Sequence, residues 1–429
     1  MPIKKALMIS YLFPPLDCGV GRQIKFAKYL PSFGWLPTVL TVKGSYLRPK
    51  YDPSRLEEIP ELVKIFRTSS IEIPILQQLV PSALNKFLGI NSKWLQIPDV
   101  FIGWLPFAVH RGLEILRKEK VDVLFSTSLP NTCHLVALIL KRKSGLPWVA
   151  DFRDPWTQNP YVTYPKPILK IEEPLEDAVI RNADKVTTTN PFFTKGFVTK
   201  YSDEPDEKFV TITHGFDPDD FQKSETPVEH KFVMTYTGSF YGPRKPDVFL
   251  KAVEELLAEN PSLKEQLKIR FVGSVGRSVK NLVRRYRLED TVEVRGYVSH
   301  KRALEYLLNS SMLLLITGIY HKDTVRDSSG RVFDEFPGKL VEYLALGKPV
   351  LALATGEGTV ARIIKSTKTG IVLHPSDKEG IKKAVREFYS LHKRGNLKVK
   401  PDFEEIKKYN IRISVKNLSK LFDEVTRTT

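Results

Sequence analysis

Apolar residues in this chain fall in short runs, each followed by a glycine-rich or polar turn and then by a stretch of helical spacing. That alternation predicts parallel α/β units. In the first half, KALMIS (5–10) reads as a strand, a helix follows over about 23–33 and ends at Gly34, and PTVLTV (37–42) is the next strand. A second set comprises a helix over 109–118, the strand VDVLFSTS (121–128), a helix over 132–144, and a strand in WVADFRDPW that ends at Asp151. KVTTTN (185–190) and KFVTITHGFDPDDF (208–221) close this half. The second half repeats the pattern: a strand ending at Gly238 and a helix from near Pro246, then KIRFVGSVG (268–276), VEVRGYV (292–298), a helix over 301–308 and a strand over 312–317. A short helix after Pro337, stopped by Gly347 and Pro349, leads into the strand 350–354. The final segment, PDFEEIKKYNIRISVKNLSKLFDEV, is helical in pattern.

Two Rossmann-like domains result, over 1–220 and 221–400, with a helical segment over 401–429. The polar, Pro-containing QKSETPVEHK places the boundary near 218–230. Residues 45–106 fit neither domain's rhythm and read as irregular. Within them, 74–89 has a broadly apolar helical pattern, followed by Trp94, Phe101 and Trp104. This region is either a packed excursion over the first domain or an interfacial helix resting on a membrane.

With 429 residues there is room for two cores, and 42% hydrophobic with 27% charged residues is a globular composition. Cys18 and Cys133 lie far apart, so neither a disulfide framework nor a zinc site is indicated, and a cytoplasmic setting is expected. The apolar run in MPIKKALMIS is too short for a signal peptide, and no run approaches the ~20 residues of a membrane span. Net charge is +17. Up to and including Asp217 there are 28 basic and 22 acidic residues, and after it 38 and 27, so the excess is spread along the chain. Such a field favours anionic partners: acidic lipid, at the inner face of the cell membrane, or phosphorylated substrates. Without a helix-turn-helix, zinc-finger or aromatic ribonucleoprotein pattern, no nucleic-acid partner is expected.

The densest candidate chemistry lies in RVFDEFPGKLVEYLALGKPVLALA (331–354). Leu340, Val341, Tyr343 and Leu344 make its helix apolar, yet Glu342 sits in the middle, with Asp334 eight positions earlier. A carboxylate on a buried helix is costly unless paired. It is either capped by an Arg or a backbone amide, or it faces a cleft with Asp334 and accepts hydrogen bonds from a polyhydroxylated ligand. The amides around Pro337, Gly338, Lys339 and Leu340 suit a phosphate. Arg244 and Lys245, at a loop–helix junction, suit a diphosphate. Asp151, Arg153 and Asp154 follow a buried strand, where open α/β sheets bind ligands, and are candidates for acceptor contact or for a pair that pins the loop. His134 is either a secondary site or a satisfied buried histidine. Gly19 and Gly21 suggest a dinucleotide fingerprint, but the third glycine would fall at Ile24, which counts against nicotinamide binding.

These landmarks occur in the order found in retaining, family-4-type glycosyltransferases of the GT-B fold, which the chain resembles over nearly its whole length. The Gly19–Gly21 loop with Arg22 resembles the family's acceptor-side opening, HGFD its passage between domains, and Asp334/Glu342 its paired acids, with Asp where Glu is usual. DFRDPW resembles a subset that builds cell-surface polysaccharides, which supports a role for Asp151. The resemblance implies a nucleotide-diphosphate sugar as co-substrate, no metal or other cofactor, and a glycan or lipid-linked acceptor. It implies further that Arg244 and Lys245 hold the diphosphate and that Gly238 and Ser239 line the loop, with Ser239 replacing an Arg. Tyr297 and Val298 would read the base. Glu342 would hold the ribose, and Asp334 or Glu335 the donor sugar. A catalytically silent glycan-binding or scaffold protein and a phosphorylase of the same fold are the alternatives.

Overall fold

The computed structural model describes residues 3–17, 19–45, 50–72, 96–159, 162, 164–221, 231–318 and 334–427. The chain divides into two compact units, Met1–Thr213 with Ile411–Thr429, and His214–Arg326 with Arg331–Asn410.

The first unit runs β1 (Lys4–Ile9), α1 (Gly21–Tyr29), β2 (Trp35–Val42), β3 (Lys64–Thr68), α2 (Leu105–Lys118), β4 (Val123–Thr127), α3 (Thr132–Ser144), β5 (Trp148–Arg153), α4 (Lys166–Asn182), β6 (Lys185–Thr188), α5 (Pro191–Lys200) and β7 (Phe209–Thr211). Its seven strands form one parallel sheet in the order β3-β2-β1-β4-β5-β6-β7. Leu7 and Ile9 of β1 enter one core cluster, together with residues of α2, α3, α4 and α5. Ala6 and Met8, on the opposite face, enter another. Both faces are therefore covered, which is why β1 carries the apolar run ALMI and β4 the run VLF without alternation.

The region expected to be irregular contains β3, an edge strand whose residues KIFRT are all exposed or half-buried. Its polarity hid it. Residues 73–95, which include most of the possible interfacial helix and Trp94, lie outside the described residues. Phe101 and Trp104 are buried, packed on the ring of Tyr11 at 4.6 and 5.3 Å, and Trp104 donates its Nε1 hydrogen to Thr68 Oγ1 at 2.7 Å. For these two rings the packed alternative holds and the membrane surface does not: core packing has claimed them.

The second unit runs β8 (Phe232–Thr237), α6 (Asp247–Glu259), β9 (Leu267–Val272), α7 (Gly276–Arg285), β10 (Val292–Gly296), α8 (His300–Leu308), β11 (Met312–Ile316), α9 (Lys339–Ala345), β12 (Val350–Leu353), α10 (Thr359–Thr367), β13 (Gly370–Leu373), α11 (Lys378–Lys393) and α12 (Phe403–Lys407). The parallel sheet has the order β10-β9-β8-β11-β12-β13. Met312, Leu314 and Ile316 pack beneath α6, α7 and α11. Leu313 and Leu315 pack on the other face against α8, α9 and α10. This is a doubly wound sheet whose strand order reverses between β8 and β11, and such sheets bind ligands outside the strand carboxyl ends at that reversal.

The chain then returns to the first unit as α13 (Ile411–Arg427). Its apolar stripe, Ile411, Val415, Leu418 and Phe422, closes the second face of the first sheet. Phe422 meets the rings of Trp35 and Phe125 at 5.1 and 5.6 Å, and burial of such a side chain contributes about 1.5–3 kcal/mol. Among the described residues no helix is long and apolar enough to cross a membrane.

Candidate functional site

In the second unit the carboxyl ends of β8, β9 and β10 each turn on a glycine with positive φ: Gly238 at 111°, Gly273 at 128° and Gly296 at 71°. A β-carbon on Gly273 would collide with the carbonyl oxygen of Gly238, so these turns can lie this close only as glycines. Against them stands Lys339, the first residue of α9. A β-carbon built on Gly238 would lie 2.5 Å from its Nζ. That ammonium sits over the Tyr236 ring at 3.8 Å from the centroid and has no hydrogen-bond partner among the described residues. Burial, and secondarily the charge of Arg244, hold its pKa well below the ordinary lysine value, while Glu335 and Glu342 pull the other way. A sealed cation without a partner is costly unless an anion completes it.

Around this lysine the expected residues have separate tasks. Arg244 is buried, pairs with Glu335 at 2.6 Å and lies over the Tyr241 ring, whereas its neighbour Lys245 is exposed. Glu335 also accepts from the Gly318 amide at 2.8 Å. Tyr236 donates its hydroxyl to the Ser239 carbonyl at 3.0 Å and stacks on Phe240. Tyr297 is exposed at the sheet edge after β10, and Val298 is half-buried beside it.

The two acids eight residues apart differ. Glu342 is half-buried on α9, where Leu340, Val341, Tyr343 and Leu344 are buried, as the pattern predicted. It meets the His300 Nε2 at 2.9 Å, a partner that sequence reasoning missed because the two are 42 positions apart. Asp334 instead accepts from the Thr359 amide at 2.7 and 2.8 Å, from the Thr359 hydroxyl at 2.5 Å and from Arg362 at 3.0 Å. It caps α10, so the expectation that it aims at a sugar is corrected: the amides of a neighbouring helix start hold it first. The start of α9 also differs from expectation. Leu340 donates its amide to the Pro337 carbonyl, and Gly338 lies 3.8 Å, as a built β-carbon, from the His214 ring. The cation of Lys339 replaces the amides as the feature suited to phosphate. Its side chain was passed over because the spacing had marked only its backbone.

In the first unit, Arg22 forks onto Asp151 with distances of 3.2 and 3.1 Å, and Thr127 and Thr187 each donate to the same carboxylate at 2.8 Å. The side chains are 2% and 0% exposed. Burial alone would lift the Asp151 pKa, but the charge and hydrogen bonds of Arg22, with those of Thr187 and Thr127, hold it below the usual carboxylate value. Arg22 also donates to the Thr213 carbonyl at 2.8 Å. Neither residue is placed to meet an acceptor or handle a proton, and both expectations are corrected on that ground. His134 is a buried histidine: it shares a hydrogen with Ser126 at 2.8 Å, stacks on Phe152, and burial pushes its pKa down to about 3. Arg153, at φ 49°, donates to the Gly19 carbonyl at 3.0 Å, and Asp154 is half-buried beyond it. Gly19 has φ 69°, and Gly21 opens α1 with Arg55 nearby.

Residues 217–400 match the family described as glycosyl transferases group 1. A D-inositol 3-phosphate glycosyltransferase from Streptomyces scabiei is 23% identical over 230 residues, covering 50% of this chain and 48% of that protein. The chain thus spans about half the length of this curated relative, and less of two others from Streptomyces. In fold, sucrose-phosphate synthase from Thermosynechococcus elongatus is similar with a TM-score of 0.65 at 16% identity, over 99% of this chain and 100% of that one. HepE from Anabaena, solved with UDP and glucose, has a TM-score of 0.57 at 15% identity, over 99% and 98%. Residues 217–400 are therefore similar to the group 1 glycosyl transferases, and the chain has the two-domain α/β architecture of the GT-B fold.

Proposed function

We propose that this protein transfers a glycosyl unit from a nucleotide-diphosphate sugar to a glycan or lipid-linked acceptor, with retention at the anomeric carbon and without a metal ion. One observation carries the reading: the Lys339 ammonium, buried between the Gly238 turn and the Tyr236 ring, has no hydrogen-bond partner among the described residues. A diphosphate there completes the lysine and recovers the cost of its burial. As the glycosidic bond breaks, charge grows on the leaving diphosphate. Lys339, with Arg244 behind it, stabilises that charge. The buried Glu335 keeps Arg244 in place. Glu342, oriented by His300, accepts from the ribose hydroxyls. The acceptor attacks from the face that the leaving group vacates, so the chain supplies no nucleophile. That HepE is solved with UDP and glucose supports a nucleotide-sugar donor.

A silent binding protein is the second reading, favoured by the use of Asp334 as a helix cap. Calorimetric titration with UDP, GDP, ADP, TDP and CMP, followed by an assay for donor hydrolysis or transfer, separates the two. Selective binding of one nucleotide, weakened in Glu342→Ala, with turnover of its sugar, is expected. Binding without turnover favours the silent reading. No binding of any of them overturns the transferase reading and leaves the silent glycan-binding or scaffold protein, or the phosphorylase.

A further inference from the structure

Two of the three helices on one face of the second sheet, α7 and α11, treat their cations differently. On α11, Lys378 pairs with Glu255 at 2.7 Å, Lys382 with Glu259 and Glu379 at 2.8 and 2.9 Å, and Arg386 with Glu259 at 2.5 Å. These three cations are neutralised by α6 and by the helix's own first turn. On α7 and the turn after it, GRSVKNLVRRYRL (276–288), Arg277, Lys280, Arg284, Arg285 and Arg287 are all exposed. None has an ion-pair or hydrogen-bonded side-chain partner among the described residues, and the stretch contains no acid. The nearest acids along the chain are Glu289 and Asp290, and Asp290 is held by Lys264 at 2.8 Å. The inward face is ordinary core, with Val279 and Val283 buried. At helical spacing Arg277, Lys280 and Arg284 fall in a single row on α7, roughly 10 Å long at 1.5 Å per residue, with Arg285 on the same helix and Arg287 in the left-handed turn that follows it.

We propose that this row is a docking face for an anionic lipid surface. Leaving five like charges uncompensated on one short element is unfavourable for the isolated fold and is offset by an extended negative partner. A row of charge on one helix face suits a plane that presents charge everywhere. Single-stranded nucleic acid would call for rings on which bases stack. The stretch has one ring, Tyr286, which is half-buried against the core and already covered by the Lys251 ammonium at 5.6 Å. With no large apolar side chain exposed on α7, the contact is electrostatic adsorption without insertion. Each cation held near an anionic leaflet strengthens binding by about fivefold, and the gain falls with salt. The inference is independent of the donor site.

The test is sedimentation of the full chain with vesicles of phosphatidylcholine alone, or of phosphatidylcholine mixed with phosphatidylglycerol, at low and high salt. The partners in the comparison are the triple variant Arg277→Gln, Lys280→Gln, Arg284→Gln and a control triple variant Lys378→Gln, Lys382→Gln, Arg386→Gln. Salt-sensitive binding to the anionic vesicles is expected, weakened at least about tenfold in the α7 variant and less than about threefold in the control. The substituted side chains are exposed, so thermal midpoint and nucleotide affinity should be unchanged in the α7 variant. Failure of the wild-type chain to bind, or equal losses in the two variants, overturns the proposal. Tighter binding to single- or double-stranded oligonucleotides than to the anionic vesicles also overturns it, in favour of nucleic acid. If no nucleotide binds but the vesicle result holds, only the donor reading falls.

Discussion

Each unit of this protein buries a cation beside carboxylates near the carboxyl end of its sheet, and the two arrangements differ in one respect. In the first unit Arg22 and Asp151 satisfy one another, with two threonine hydroxyls and a carbonyl taking up further donors and acceptors. In the second unit Glu335 and Arg244 close on each other, but among the described residues the Lys339 ammonium has no hydrogen-bond partner. From sequence, both look like charged residues placed after buried strands. A saturated cluster has no capacity left for a ligand and serves the fold, whereas an unsaturated one holds back free energy that only a ligand releases.

The sharpest way to break this contrast is to remove one charge from the closed pair. Asp151→Asn keeps the shape and strands the Arg22 guanidinium in the core, which should cost about 3–5 kcal/mol of stability. Denaturant unfolding measures it. A loss below about 1 kcal/mol would mean that the pair is not the structural element described here. The open site should respond in the opposite sense. Lys339→Met removes a desolvated cation, so stability should hold or rise, while nucleoside diphosphate binding should fall by about ten- to a hundredfold. Because the lysine pKa is depressed in the empty site and a diphosphate favours its charged form, binding should take up protons and weaken as pH rises. Calorimetry in buffers of different ionisation enthalpy reads that uptake. A variant that loses stability and keeps its affinity would exchange the roles assigned to the two clusters.

A smaller effect tests the closed side through pH. His134 is buried beside this pair and its pKa is pushed down to about 3 by burial, with the charge of Asp151 opposing. The folded state therefore binds fewer protons than the unfolded state between about pH 6.5 and 3. The stability carried by neutral His134 is complete above that window and is lost on acidification through it, at up to about 1.4 kcal/mol per pH unit. His134→Gln should flatten this part of the stability profile. An unchanged slope would show that other groups carry the acid response.

How much of this was legible beforehand depends on the range of the interaction involved. The β-α rhythm, the helix stops at Gly34 and Gly347, and the apolar circumference of α9 are local patterns, and the structure follows them. β3 escaped because an edge strand with half-buried residues shows neither alternation nor an apolar run. The site was legible in its location and not in its pairings. Arg22 with Asp151, His300 with Glu342, and Asp334 with Thr359 are joined across 129, 42 and 25 positions, and no spacing rule reaches that far. Asp334 is the instructive case. The eight-residue interval to Glu342 is a pattern of the sequence alone, and the side chain has a nearer claim on it from the first amide of α10.

The smallest expected effect concerns the two adjacent cations at the start of the second unit. Sequence reading assigned Arg244 and Lys245 jointly to a diphosphate, but Arg244 is turned inward onto Glu335 and Lys245 is exposed. An exposed lysine adds little to an anion held by a desolvated neighbour, because water and salt screen it. Lys245→Gln should therefore change nucleoside diphosphate affinity by less than about threefold at physiological ionic strength, with stability unaltered. Titration of this variant beside Lys339→Met, in one buffer and with one nucleotide, makes the comparison direct. Equal losses in the two would place the anion out in the Arg244–Lys245 loop, and the partnerless ammonium of Lys339 would then need another ligand.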